Sequence, residues 1–179
     1  MSTQDPSDAR TRAELEQAWR SAPARPRDAG QVELIVLRKG EGVHEVVDEV
    51  EVSPERGVHG DRWEGAGKGS DTQVTLMDVS VARAIQRPEQ PLDLPGDNFL
   101  VHFDLSAEAL PPGARLRLGE ALLEVSATPH TGCKKFRQRF GLEALQWIGE
   151  DDALRLRGIN CSVLEAGRVR LGDAIRPQA

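Results

Sequence analysis

Residues 114–127 read ARLRLGEALLEVSA, and this stretch decides the fold. Two runs with apolar alternation flank Gly119–Glu120, the pattern of an antiparallel hairpin. The chain end echoes it: RLRLGEAL at 115–122 resembles RVRLGDAI at 168–175. Both are strand–Gly–acid–strand elements, so the echo predicts two hairpins used alike in one curved sheet. Working outward, QVELIVLRKG (31–40) alternates as a strand, with Val32, Leu34 and Val36 or Ile35 inward. VHEVVDEVEV (43–52), TQVTLM (72–77), DNFLVHFDL (97–105) and INCSVL (159–164) also read as strands. The strands are short, are separated by glycine turns and outnumber the helices. No βαβ rhythm appears. The reading is a mainly β, barrel-like domain with a few short peripheral helices.

Helical periodicity is confined to short segments. Thr11–Ala22 carries Leu15, Ala18, Trp19 and Ala22 on one stripe, ended by Pro23 and Pro26. This divides the chain into an N-terminal helical arm, 1–29, whose residues 1–9 are expected to be disordered, and a β domain, 30–177. Asp78 is placed to cap a helix running to about Arg87. Lys134–Phe140 pairs Phe136 with Phe140. Leu142–Ile148 puts Leu142, Leu145 and Ile148 on one face. GVHGDRWEGAGKG (57–69) is a long glycine-rich loop, and loops of that length are usually functional or mobile.

The net charge is −6, which excludes a general nucleic-acid footprint but not a local basic patch. No apolar run approaches the roughly 20 residues of a membrane span, and the N-terminus lacks the apolar core of a secretory signal. Cys133 and Cys161 give no disulfide framework. The expectation is a cytoplasmic protein with free thiols.

TPHTGCKKFRQRFG (128–141) holds the chemistry with the most physical support. Cys133 opens a predicted helix, and Lys134, Lys135, Arg137 and Arg139 follow. That field favours a thiolate and draws anions. His130 is a candidate base or partner. The alternative for Cys133 is a buried structural cysteine. The His-x-x-Cys pair is only half of a zinc site and has no second half in the chain. In GVHGDRW (57–63), Gly57 and Gly60 free the backbone, His59, Asp61 and Arg62 are exposed polar groups, and Asp61 could orient Arg62 toward a phosphate or carboxylate; the alternative is a turn with a surface ion pair. Asn98 in PGDNFL can meet a heterocycle edge or cap a backbone group. Arg157 is a further anion contact. Cys161 reads as a packing residue, and His44 and His102 as structural histidines.

Taken in order, GVHGDRW (57–63), QVTLM (73–77), PGDNFL (95–100), LRLGEALLEVSATPHTGCKKF (116–136) and RGINCSVLEAGRVRLGD (157–173) resemble the MOSC family, named for the C-terminal domain of molybdenum cofactor sulfurase. The resemblance spans roughly residues 30–177, and 128–141 look like a subgroup of small bacterial stand-alone members. It implies a MOSC-like β-barrel that binds the molybdenum cofactor, a pterin phosphate carrying molybdenum, or handles sulfur delivered as a persulfide. The family's motif cysteine, a metal ligand or sulfur carrier, falls on Cys133. Such a protein acts as an oxidoreductase or in sulfur transfer, with a cysteine desulfurase or a redox protein as partner. The cofactor-binding set is then His59, Gly60, Asp61, Arg62, Asn98, Lys134 and Arg157, with His130 beside Cys133. Pyridoxal phosphate, used by an upstream domain of some relatives, is not expected here. Two readings stay open beside this one: a metal-free persulfide carrier, and a binding module that retains only the fold.

Overall fold

The computed structural model describes residues 9–66 and 70–179. The expected disorder of 1–9 therefore falls, apart from Ala9, outside the described residues, as do positions 67–69 of the glycine loop. In chain order the elements are α1 (Arg12–Arg20), β1 (Gly30–Gly40), β2 (Val43–Val47), β3 (Glu49–Ser53), β4 (Gly57–Val58), β5 (Val74–Asp78), α2 (Val79–Ile85) and β6 (Phe99–His102). They continue with β7 (Arg115–Leu118), β8 (Ala121–Pro129), α3 (Lys134–Phe140), α4 (Leu142–Ile148), β9 (Ile159–Glu165), β10 (Gly167–Arg170) and β11 (Ala174–Gln178).

The large sheet runs β11-β7-β8-β9-β5-β6-β1-β2 and closes through a short β1–β11 pairing, Gly30↔Ile175 and Gln31↔Ala174. This is the expected mainly β, barrel-like architecture. Closure needs a glycine: a Cβ on Gly30 would lie 2.1 Å from the His102 carbonyl oxygen. β2 hangs on the far half of β1 as a free edge, and β10-β3-β4 form a separate small sheet. The stretch Val43–Val52 is thus two strands in two sheets, not one.

The decisive hairpin is present, with Arg115↔Glu124 through Leu118↔Ala121 in register. Its echo is not a second hairpin. β10 pairs with β3 in the small sheet, while β11 pairs with β7 in the large one. The two echoes instead meet each other, as Gly119 N–H donates to the Ala174 carbonyl and Glu120 N–H to that of Arg168. One βαβ unit does occur: β5 and β6 are parallel, joined through α2, and Asp78 caps α2 by accepting from Ser80 N–H.

Strand alternation sorts two apolar cores. Leu76, Phe99, Leu116, Leu123, Ile159 and Cys161 point into the barrel. Met77 and Leu100 point outward, onto a helical layer of Leu15, Phe136, Phe140 and Trp147. On β1 a register shift between Val32 and Leu34 flips the phase. Val32, Ile35 and Leu37 therefore face the barrel, and Leu34 packs on the helices rather than inward. On α4 the buried residues are Ala144, Trp147 and Ile148, with Leu142 exposed. Trp147 meets Trp19 of α1 edge-on at 6.2 Å, so the arm helix decides which face of α4 is covered. Cys161 is fully buried, and desolvation pushes its thiol up to about 12, as befits a packing residue.

Candidate functional site: a cationic cleft around Cys133

The β1–β2 hairpin, the loop after β4, the Pro95–Gly96 turn and the start of α3 enclose a cleft of about 270 Å³. Cys133 sits at the cap of α3 in extended backbone, its thiol exposed to this cleft. Arg38, Arg62, Lys135, Arg139 and Arg157 line the same space. Five cations thus converge on one thiol in a chain of net charge −6.

Two of these arginines are held from behind by buried carboxylates. Arg38 donates through Nε to Asp61 Oδ2 at 3.0 Å and through Nη2 to Asp61 Oδ1 at 3.1 Å. The Arg38 backbone N–H also reaches Asp61 Oδ2, at 2.9 Å. Burial works against the Asp61 charge, but the hydrogen bonds and charge of Arg38 outweigh it and hold the carboxyl below its usual range. Asn98, wholly buried, locks the pair: its Nδ2 donates to Asp61 Oδ2 at 3.1 Å, and its Oδ1 accepts from Arg38 Nη2 at 3.1 Å. The other clamped arginine is Arg157, whose Nη1 donates to the buried Asp97 Oδ2 at 2.6 Å while its guanidinium lies 5.3 Å from the Phe136 ring centre.

Arg62, Lys135 and Arg139 pair with no carboxylate among the described residues. Arg139 donates to the Leu94 carbonyl at 2.8 Å, and burial depresses its pKa. Arg62 lies over the exposed Trp63 ring at 4.5 Å, so the cleft rim carries an aromatic face as well as charge.

A family model described as the MOSC domain matches residues 69–176, more than half of the chain. The chain belongs to the MOSC family. No curated protein matches its sequence. Among solved structures it is similar to a hypothetical protein (TM-score 0.65, 22% identity, 84% of this chain and 69% of that one). It is also similar to the YUAD protein from Bacillus subtilis (0.58, 19%, 82% and 94%) and to YiiM from Geobacillus stearothermophilus (0.60, 18%, 84% and 75%). At these identities the likeness carries the fold alone.

Within this MOSC domain, Cys133, Arg62 and Arg157 of the expected set share the cleft. Asp61 and Asn98 stand behind it. Asp61 orients Arg38 rather than Arg62, and the Asn98 amide is fully engaged, also accepting from Thr75 N–H and Oγ1, so it has no edge free for a heterocycle. His59 lies apart, its Nε2 3.0 Å from Ser53 Oγ. Gly60 adopts φ +80 and its carbonyl accepts from Lys39 Nζ at 2.9 Å. Lys134 is exposed, and the cleft lysine is its neighbour Lys135. His130 faces a different cleft and packs on Asp97, 3.5 Å away, instead of partnering Cys133. His44, read from the sequence as structural, sits 3.3 Å from Asp93 and also lines the Cys133 cleft. Arg38 and Asp97 escaped the sequence reading. The only signal for Arg38 is a cation at the end of a strand before a glycine turn.

Among the described residues, no three His, Cys, Asp or Glu side chains are grouped to hold a metal ion, and no helix is long and apolar enough to cross a membrane.

Proposed function

We propose that this MOSC protein binds the molybdenum cofactor in the Cys133 cleft and acts as an oxidoreductase or in sulfur transfer. The observation that carries this is an exposed thiol in one cleft with five cations, three of them without a carboxylate partner among the described residues. The donor set fits such a group. A thiol with no protein ligand cluster beside it among the described residues suits a metal that arrives carrying other ligands, and a soft thiolate suits molybdenum. Bound there, the cofactor would supply a redox-active metal. Arg38, fixed by Asp61 and Asn98, would present its remaining N–H groups to an oxyanion such as the cofactor's phosphate. Arg139 and Lys135 would neutralise further charge, and Trp63 would offer a ring face to a flat heterocycle. Cys133 would bind the metal through sulfur.

The exposure of the thiol also favours a second reading, sulfur carriage. The Cys133 thiolate attacks the outer sulfur of a donor persulfide, as on a cysteine desulfurase. The donor cysteine leaves as a thiolate, and Cys133 is left as the persulfide, with no net oxidation.

Purification from a cofactor-competent host, followed by molybdenum and pterin assays, tests the first reading. Wild type should carry both, Cys133→Ser should lose the metal, and Arg38→Gln should lose most of the pterin. Wild type lacking both and indistinguishable from Cys133→Ser would overturn it. Cyanolysable sulfur on wild type but not on Cys133→Ser, after incubation with a cysteine desulfurase and cysteine, would then support sulfur carriage.

A further inference from the structure

A second cleft, about 460 Å³, shares Arg157 with the Cys133 cleft but does not include Cys133. It is bounded by the end of β8, the loop 130–132, the end of α4 and the turn leading into β9. Three observations mark it as built for a ligand.

First, His130 and Arg157, which line it, carry buried polar atoms that lack a hydrogen bond, as does Asp97 behind them. Of five buried side-chain polar atoms without a hydrogen bond among the described residues, three are Asp97 Oδ1, His130 Nδ1 and Arg157 Nε. Buried groups are normally paired, so such a cluster calls for an explanation. Second, Arg155 reaches this cleft from a left-handed backbone, φ 49, which is uncommon for a side chain of its size. Its Nη1 donates to the Leu110 carbonyl at 2.5 Å, and no carboxylate pairs with it among the described residues. Third, the cleft is bipolar. Asp151 and Asp152 line it, also without a cation partner among the described residues, while the charge of Arg157 is already met by Asp97.

The His130 ring turns Nδ1 toward Asp97 Oδ1, 3.5 Å away. A carboxylate there selects the tautomer with the proton on Nδ1 and leaves Nε2 as an acceptor. A 3.5 Å separation is long for a hydrogen bond, and pairs of this kind tighten when a ligand engages the outer nitrogen.

We propose that the second cleft is a ligand site separate from the Cys133 cleft, in which His130, oriented by Asp97, accepts a hydrogen bond from the ammonium group of a small zwitterion with the chemistry of an α-amino acid, whose carboxylate lies on Arg155. Asp151 and Asp152, which line the same cleft, would balance the ammonium charge. The site stands whether or not Cys133 holds a cofactor.

The test uses the full chain with L-alanine, L-serine, L-cysteine, L-glutamate and L-lysine as probes. Binding is followed by calorimetry and by the imidazole nitrogen resonances of His130, assigned by their absence in His130→Gln. At least one amino acid should bind saturably and sharpen the Nδ1–H tautomer of His130. Its affinity should fall at least tenfold in Arg155→Gln and in His130→Gln, and should persist in Cys133→Ser. Acetate and ethylamine, each with half of the charge pattern, should bind wild type at least tenfold more weakly than the zwitterion. The proposal is overturned if no amino acid of the panel shifts His130, if acetate or ethylamine binds as well, or if both folded variants bind like wild type. Should a variant misfold, the wild-type comparison with acetate and ethylamine still decides.

Discussion

His130 should make the protein lose stability on mild acidification, and His130→Gln should remove that loss. Burial pushes the imidazole down to about 4 from 6.5, with the Asp97 charge opposing and the charges of Arg157 and Arg38 adding to the depression. The unfolded chain protonates this histidine near its ordinary value, while the folded chain resists until about pH 4. The unfolded state therefore binds more protons between those limits, and its favour grows as pH falls. The contribution of His130 is fully present above about pH 6.5 and is lost as pH falls toward about 4, with little further loss below. At about 1.4 kcal/mol per pH unit, the gap from 6.5 to about 4 corresponds to roughly 3 to 4 kcal/mol in full, of which about 3 kcal/mol is lost by pH 4, where the folded group is half titrated. Carboxylates titrate in the same range, so the quantity to read is a difference. Urea unfolding at pH 7, 6, 5 and 4 gives the stability of wild type minus that of His130→Gln. That difference should shift against wild type by about 3 kcal/mol from pH 7 to pH 4. Parallel pH profiles, or a shift in favour of wild type, would refute the reasoning.

Asp61→Asn removes the carboxylate that Arg38 and Asn98 share, and a half-buried guanidinium then loses its counterion. The urea midpoint at pH 7 should report a loss of about 3 kcal/mol. Gly158→Ala asks for a Cβ 2.1 Å from the Leu76 carbonyl oxygen at φ +104, so it should cost more than about 2 kcal/mol in the same assay, or prevent folding. Arg62→Gln touches only the cleft rim. It should leave stability within about 0.5 kcal/mol while weakening the binding of inorganic phosphate, and the wild-type affinity should itself fall as salt is raised.

The strands were legible because alternation and glycine turns are local properties. The topology was not, because it is set by partners far along the chain. Nothing in RVRLGDAI distinguishes a hairpin from a strand pair that diverges, yet β10 finds β3 and β11 finds β7. The phase flip on β1 comes from one extra residue opposite β6, which the run QVELIVLRKG cannot reveal by itself. The helix capped by Asp78 was legible, but a strand, a seven-residue helix and a strand do not by themselves fix strand direction, so the parallel β5–β6 pairing stayed hidden.

The site shows a sharper version of the same division. The GDR and PGDN motifs did mark it, but their polar residues serve it from behind. Asp61 and Asn98 hold Arg38, and Asp97 holds Arg157, so each motif supplies an anchor for a cation that lines the cleft. An aspartate or asparagine in a glycine turn is expected at the surface. Here both turns fold their short side chains inward, where a carboxylate is tolerated only with a cation to meet it. Arg38 lies 23 residues from Asp61 and 60 from Asn98, so its fixed geometry exists only once β1 has closed against β6. Cys133 needed no such help, because its neighbours Lys135 and Arg139 come from its own helix. A thiol with local charges can be found by reading along the chain. The arginines that would orient a ligand over it are found only by following which buried carboxylates hold them.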